Sequence, residues 1–442
     1  WPQGIAVIEL AQRYPGEGGV YLWAKEVFGD FHGFLSGWCY WTNNMMYVPT
    51  VLLYFVGVSV FALGAGHEQL ADNKIFALSA CVVLLAALVV LNIVGLGVGK
   101  WVNNIGGIGT FIAAGLLMAL GLIVWVRFGT SVTWADFQIP ANPRFVLNSF
   151  GVICFGLVGL ELASIMGDEI KDPAKTLPGA VAWGGVLSGA LYIGATLTLI
   201  IAVSKQDISV LQGIVQAVRH MASRVGVPWI VAPFAFLLSL SIAGIGSAWL
   251  GGSARIPFVA GLDSYMPRWL GSIHSKYRTP YAALLVHAAI SMALVVLNFV
   301  GWWVWNKCVT LLVISGAASW LGITPLFSSE TGVQETFQKL LSLAVVLQLI
   351  PFLYMFAALL KIAFAPDFRQ AKYSKTKLIV AGACGLVTTT LGIGLAFFPA
   401  VQITSLFWYE VWMWGGTALF IGAAAFFFFV YGRRKAALKA AA

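Results

Sequence analysis

Charged residues are scarce in this sequence of 442 residues. They make up 10% of it, whereas soluble domains average about 25%. Hydrophobic residues account for 60% of the chain. A single soluble core could not bury so much apolar surface, because such cores stop growing near roughly 250–300 residues. The composition therefore excludes an ordinary soluble protein and predicts one whose solvent is the lipid bilayer.

Metal-binding and redox patterns are missing as well. The five cysteines form no CxxC pair, and the five histidines show no HExxH motif or other paired spacing. The cysteines are therefore interpreted as small core residues. The apolar runs offer no paired acid and base groups, so we expect no metal, no cofactor and no enzymatic activity. The net charge of +9 does not predict nucleic-acid binding, because the basic residues lie in short gaps between apolar runs.

Long apolar runs dominate the sequence instead. Each is near or above the roughly 20 residues that a helix needs to cross a bilayer. The two-residue alternation of a membrane barrel is absent, so the runs predict an all-α polytopic membrane protein. The ten predicted spans are 31–63, 75–98, 104–126, 146–167, 178–203, 229–250, 280–300, 341–364, 378–399 and 406–431.

One further run, 303–327, is ambiguous, and the loop charges decide how to interpret it. If it does not span, the loops on the side of Arg13 hold 18 of the 26 Lys and Arg residues and the opposite side holds 8. If it spans, the counts become 10 and 15, with Lys307 inside the membrane. The positive-inside rule favours the first arrangement. We therefore predict a cytoplasmic C-terminus and a single transmembrane domain, 1–442, with 303–327 as an extra re-entrant or membrane-surface insert.

Glu161 is the one acidic residue well inside a predicted span. A charge at membrane depth is costly and usually marks a transport pathway. Gly156 and Gly159 precede it and weaken the helix at mid-depth. Unwound backbone is tolerated there where it lines a cavity or packs in protein, and its free carbonyls can bind an ammonium group. The alternative is an intact helix whose glycines allow close neighbours.

Three segments together resemble the amino acid–polyamine–organocation (APC) superfamily. Phe155, Gly159-Leu160-Glu161 and Glu169-Ile170-Lys171-Asp172-Pro173 look like its sixth helix. Glu9–Trp38 is similar to its passage from the second helix to the third, and Gly252–Pro280 to the loop after its eighth. The resemblance implies a leucine-transporter-like inverted-repeat bundle. The ten spans then match helices three to twelve, and the first helix, which is missing, is expected upstream of Trp1, so the bundle is incomplete at its N-terminus.

The resemblance also implies a function and a site. The function is secondary active transport of amino acids across the plasma membrane by alternating access, by a permease or antiporter. The alternative functions are a permease for polyamines or other organic amines and, less favoured, a channel. The expected partners are the small-molecule substrate, the lipid bilayer and a second copy of the chain in a homodimer. The span 104–126 contains no basic residue that could stand in for a sodium ion, and the coupling ion is otherwise left open.

Site residues follow position by position from the same resemblance. Phe155 matches the aromatic residue that closes over the substrate, and Glu161 an acidic residue associated with gating. The carbonyls of Phe155 and Val158, around the glycines Gly156 and Gly159, match those that receive the substrate amine. The predicted side-chain contacts are Asn44, Trp249 and, on weaker grounds, Tyr354. Ordinary bundle packing explains Asn44 and Trp249 equally well.

Overall fold

The computed structural model describes most of the chain. The exceptions are residues 65, 131, 134–137, 139–143, 168–169, 203–211, 297–329, 367, 369–371, 400–402, 404–405 and 442. The predicted insert at 303–327 lies outside the described residues, as does part of the motif that follows Glu161. Within the described part, regular structure is helical, apart from one isolated bridge between Glu17 and Met166. The all-α prediction is confirmed.

Fourteen α-helices are found in the described residues. They are α1 (Pro2–Arg13), α2 (Val20–Phe28), α3 (Asp30–Ala62), α4 (Lys74–Val94), α5 (Leu96–Phe128), α6 (Arg144–Gly156), α7 (Leu162–Ile165), α8 (Pro173–Ala202), α9 (Gly213–Val225), α10 (Val231–Leu262), α11 (Tyr281–Val296), α12 (Glu330–Ala363), α13 (Lys375–Ala396) and α14 (Leu406–Ala441). Eight of these described helices are long and apolar enough to cross a membrane.

Two of the ten predicted spans are not among these eight helices, and the structure shows why. The span predicted at 146–167 is divided between α6 and α7, and the span predicted at 280–300 is described only as far as Val296. Several helices also extend beyond their apolar runs: α10 continues to Leu262, and α12 begins at Glu330. Hydropathy measures only the part of a helix inside the hydrocarbon, whereas backbone hydrogen bonds continue a helix into the polar zone.

The helix α3 lies at the centre of the bundle. Val48 and Leu52 pack into a core shared with α4, α10 and α11, and Cys39 packs against α12 and α14. On the outside, α8 presents exposed Trp183 and Ile193. Apolar side chains in such positions are suited to contact with lipid.

The contact between α5 and α10 is unusually close. A Cβ atom added to Gly106 would lie 2.8 Å from the Cα atom of Gly244, and the reverse substitution would meet the Cα atom of Gly106 at the same distance. Thr110 and Ser241 hydrogen-bond to each other beside this crossing. Small residues let two helix backbones touch in a membrane, where van der Waals contact rather than the hydrophobic effect drives association.

The connection between α1 and α2 is fixed at one end of the bundle, which we call the Arg13 face. The amide of Gly18 donates to the carbonyl of Ile165 at 3.1 Å. The Asp263 carboxylate, at the end of α10, accepts hydrogen bonds from Tyr21 at 2.5 Å and from Lys25 at 2.6 Å. The connection is therefore bound to α7, and α2, which follows it, is bound to the end of α10.

Candidate functional site

The helix predicted over 146–167 is interrupted near its middle. It stops at Gly156 and resumes as the short helix α7 at Leu162. Gly159, in the gap, has a φ of +130°. Side chains with a Cβ rarely adopt that conformation, so the turn requires glycine. The interruption predicted from the two glycines is confirmed.

Most carbonyls at the end of α6 already have partners. The Phe155 carbonyl accepts from the Val158 amide at 3.1 Å, and the Gly156 carbonyl accepts from the Tyr192 hydroxyl at 2.8 Å. The Val158 carbonyl receives no hydrogen bond among the described residues. A carbonyl oxygen has two lone pairs, so Phe155 keeps one acceptor position and Val158 keeps both.

Glu161 is completely buried at the far side of the gap. Its carboxylate accepts three hydrogen bonds, each 3.0 Å long, from the Gln3 side chain, the Tyr40 hydroxyl and the Gly159 amide. These donors belong to α1, to α3 and to the gap itself. Glu161 therefore joins three parts of the bundle, and no charged group is among its three donors.

A second polar contact, near Glu161 and its donors, joins α3 to α12. The Asn43 side-chain amide donates to the Gln348 side chain at 2.5 Å, and both residues are buried. The Asn43 Oδ1 and Gln348 Nε2 atoms have no partner among the described residues. Buried polar groups are normally satisfied, so two such atoms mark a place for water or a polar ligand.

Aromatic rings bring three predicted site residues together. Phe155 packs edge-on against Tyr47 with ring centroids 5.7 Å apart, and Tyr47 packs edge-on against Trp249 at 5.6 Å. Gly159 lies beside Trp249, because a Cβ on this glycine would be 3.6 Å from its indole. Tyr40 is also next to Trp249, with ring centroids 6.2 Å apart. The gap is thus lined on the α3 and α10 side by aromatic rings.

The remaining two predicted residues differ in their surroundings. Asn44 is buried on the same side of α3 as Tyr40, whose carbonyl accepts from its side-chain amide at 2.8 Å, and Asn44 Oδ1 has no partner among the described residues. Tyr354 instead meets His32 at 3.0 Å and packs against Phe28 at the Arg13 face. The described contacts of Tyr354 do not join it to the residues around the gap.

Sequence reasoning did not identify Gln3, Tyr40, Tyr47 or Gln348. Each is a polar or aromatic residue inside or beside an apolar run. That position is visible in the sequence, but it does not show which residues contact one another. Tyr354 was predicted to be the α12 residue that contacts the substrate. Gln348, on the same helix, is the residue that lies buried beside Asn43. Gln348 and Tyr354 lie six residues apart, about 9 Å along a helix.

These features define a class: a multi-pass helical membrane transport protein with one helix broken around buried polar and aromatic side chains. The family model described as amino acid permease matches residues 1–426. An uncharacterized transporter of Legionella pneumophila is 27% identical over 435 residues, which are 95% of this chain and 85% of that protein. The chain belongs to the amino acid permease family, within the APC superfamily.

Other relatives have more specific names. A probable agmatine/putrescine antiporter of Lactococcus lactis is 24% identical over 67% of this chain and 62% of its own length. The serine/threonine exchanger of Bacillus subtilis is 24% identical over 67% of this chain and 65% of its own length. The chain thus matches less than two thirds of the length of these two relatives. The protein is a transporter of amino acids or amines, and not an enzyme.

Proposed function

We propose that the protein is a secondary active transporter of amino acids in the plasma membrane, working by alternating access around the gap between α6 and α7. The observation that carries this proposal is the open backbone beside aromatic rings. The Val158 carbonyl and the second lone pair of the Phe155 carbonyl are suited to a substrate ammonium group. The rings of Phe155 and Trp249 add cation–π attraction and cover the apolar part of the substrate.

Glu161 supports the alternating-access part of the proposal. Its three donors come from elements that need not move together, namely α1, α3 and the gap. A change of access that moves the α6–α7 gap relative to α3 must break or replace the bond from Tyr40. A single hydrogen bond to a charged group contributes about 1.5–3 kcal/mol, small enough to be exchanged in each cycle.

A polyamine is the second candidate, and the relative from Lactococcus lactis is the reason to test it. A diamine would need an anionic partner at each end. Two buried acids are found among the described residues, Glu161 and Glu9. Glu9 is already bound by Arg13 at 2.8 Å and by the backbone amides of Lys372 and Tyr373. Glu161 is held by its three uncharged donors, so the described residues offer a diamine no pair of free buried carboxylates, and this favours a substrate with one ammonium group.

Counterflow in proteoliposomes tests the function. Vesicles containing the protein are loaded with unlabelled L-serine, L-isoleucine or putrescine and diluted into the labelled form of the same compound. Saturable accumulation of an amino acid is the expected result. Preferred exchange of putrescine would replace the proposal with the amine alternative. Flux that does not saturate would indicate a channel, and no flux of any probe would contradict the proposal.

We expect the Phe155→Ala variant to bind substrate roughly 5–30-fold more weakly, because the lost ring contact is worth about 1–2 kcal/mol. Phe352→Ala is the comparison, since Phe352 is buried in the core beside Phe356 and should affect stability more than affinity. Half-saturating concentrations in the counterflow assay, together with thermal midpoints in detergent, separate the two effects. Equal losses of affinity would place Phe155 outside the site.

We propose which side of the membrane the Arg13 face occupies from the helix ends that meet there. Lys361, near the end of α12, donates to the Val27 carbonyl at 2.7 Å, and Phe428 of α14 stacks on Tyr265 with ring centroids 4.7 Å apart. The last described helix therefore returns to the face of Arg13. With the charge asymmetry, this supports a cytoplasmic location for that face and for the C-terminus.

Cysteine labelling checks this orientation. His67 follows α3 at the opposite face, and Lys276 lies between α10 and α11 at the Arg13 face; both are exposed. In a cysteine-free background, we expect an impermeant maleimide to label H67C in intact cells and K276C only after permeabilisation. The reverse pattern would invert the orientation.

A further inference from the structure

His287, like Glu161, is a fully buried ionisable side chain within an apolar stretch of the chain. It lies in the middle of α11, within the apolar sequence Ala283-Leu284-Leu285-Val286-His287-Ala288-Ala289-Ile290. Ionisable residues in such positions are rare and generally functional. Sequence reasoning passed over His287 because it looked for paired histidines and buried acids.

The hydrogen bonds around His287 determine which ring nitrogen carries the hydrogen. The Ser253 hydroxyl donates its one hydrogen to the Trp249 carbonyl at 2.6 Å. Ser253 can therefore only accept from the imidazole Nδ1 atom, 3.4 Å away. With Ser253 as the acceptor, the neutral ring has its hydrogen on Nδ1 and a lone pair on Nε2. Nε2 is buried and has no partner among the described residues.

No charged side chain in the described part of the chain acts on this imidazole. The imidazole is affected by its burial and by the backbone of Asn44. Arg255, two residues beyond Ser253, is instead directed to the Gly251 carbonyl and to Glu17. The Glu161 carboxylate is held by its three donors. The titratable groups on α3 and α4 are Asp30, His32, Cys39, Tyr40, Tyr47, Tyr54, Lys74 and Cys81, and none of them is a charge partner of the ring.

We propose that His287 binds a proton at Nε2 and that this proton is transported together with the substrate. The proposal rests on the proposed function, because it concerns the same site. His287 contacts Ser253, which holds the Trp249 carbonyl, and it contacts the backbone of Asn44. Trp249 and Asn44 are both predicted substrate contacts. In each cycle one N–H bond forms with a proton from one side of the membrane and breaks on the other side, and no other bond changes.

The sign of the coupling follows from electrostatics. A buried positive charge is costly unless it is compensated. The carboxylate of an amino acid bound beside Trp249 and Asn44 supplies that compensation, so proton and substrate each strengthen the binding of the other. Linkage makes the two effects equal, and couplings of this kind are typically about 5–150-fold in affinity.

The test compares uptake driven by a pH gradient with counterflow, both in proteoliposomes with a clamped membrane potential. The probes are labelled L-serine, L-isoleucine and putrescine. External pH is set to about 5.5 or about 7.5, with the interior at about 7.5. For the wild-type protein we expect acid outside to raise amino-acid uptake roughly fivefold or more. His287→Asn should lose the response of uptake to pH, whereas His220→Asn, at an exposed position on α9, should keep the wild-type response.

The outcomes separate this inference from the function on which it rests. Counterflow without any pH response in the wild type would overturn the proton site alone, and so would a wild-type response in His287→Asn. Absence of counterflow for every probe would overturn the transport function first and this inference with it. If His287→Asn does not fold, Ser253→Ala takes its place, because loss of the Nδ1 acceptor should shift the pH of half-maximal uptake. An unchanged midpoint in Ser253→Ala would contradict the proposal.

Discussion

We expect turnover to fall roughly 10–150-fold when Glu161 is replaced with glutamine, while the protein stays folded. The range corresponds to one hydrogen bond to a charged group, about 1.5–3 kcal/mol, which the carboxylate forms with a replacement donor while the Tyr40 bond is exchanged and which the glutamine does not form. The carboxylate has to serve three donors at once. A glutamine has one acceptor oxygen, which can still serve Gln3 and Gly159.

Tyr40 is the partner that loses its acceptor in this variant. The glutamine amide can donate to the Tyr40 oxygen, but the tyrosine hydrogen must then find another acceptor in a buried position. Glu161→Ala should be worse, because the buried Tyr40 hydroxyl and the part-buried donors Gln3 and Gly159 all lose their acceptor, and a buried unpaired donor costs about 1–3 kcal/mol. We expect the Glu161→Ala variant to lose its monodisperse peak in detergent at a lower temperature than Glu161→Gln or Phe155→Ala.

Two comparisons make this prediction specific. Glu26→Gln removes an acid at an exposed position on α2 and should leave turnover unchanged. The Tyr40→Phe and Glu161→Gln substitutions should be non-additive when combined, because they remove the same contact. Counterflow rates measured from about pH 5 to about pH 8 decide the question. Wild-type rates for Glu161→Gln throughout that range would limit Glu161 to a structural role.

Gly106→Ala should destabilise the protein by about 1–3 kcal/mol, the usual cost of overpacking. The added Cβ would lie 2.8 Å from the Cα atom and 3.3 Å from the amide nitrogen of Gly244. Both atoms are backbone, so no side-chain rotation relieves the clash and α5 must move away from α10. The hydrogen bond between Thr110 and Ser241 would be strained by the same movement.

The adjacent glycine provides the control. A Cβ on Gly107 would meet nothing within 4 Å. Gly107→Ala should therefore stabilise α5 by up to about 1 kcal/mol through helix propensity alone. Thermal midpoints in detergent should move in opposite directions for these neighbouring positions. Similar midpoints for the two variants would show that the α5–α10 contact is looser than described.

The parts of the fold that were predictable depend on local signals. A run of about 20 apolar residues requires a membrane helix whatever surrounds it. The gap between α6 and α7 was predictable for a similar reason, since Gly156 and Gly159 weaken the helix locally and Gly159 adopts a positive φ. Helix ends such as Leu262 were not predictable, because beyond the hydrocarbon hydropathy no longer distinguishes helix from loop.

The polar contacts of the site depend on which faces of the helices meet, and one sequence does not carry that information. Gln348 is bonded to Asn43, 305 residues earlier in the chain. His287 became informative only when Ser253 was found beside it with its hydrogen already donated. Polar residues scattered in apolar runs were visible in the sequence, but their partners were not.

The contacts at the Arg13 face also constrain how the protein is made. Lys25 and Tyr21 are 238 and 242 residues away from Asp263, their shared partner. At typical synthesis rates of about 5–20 residues per second, a ribosome needs roughly 12–50 s to cover that distance. During this interval α2 has emerged and α10 has not, so the lysine lacks its carboxylate partner. Completion of α10 is thus the step of biosynthesis at which α2 can be anchored to the end of α10.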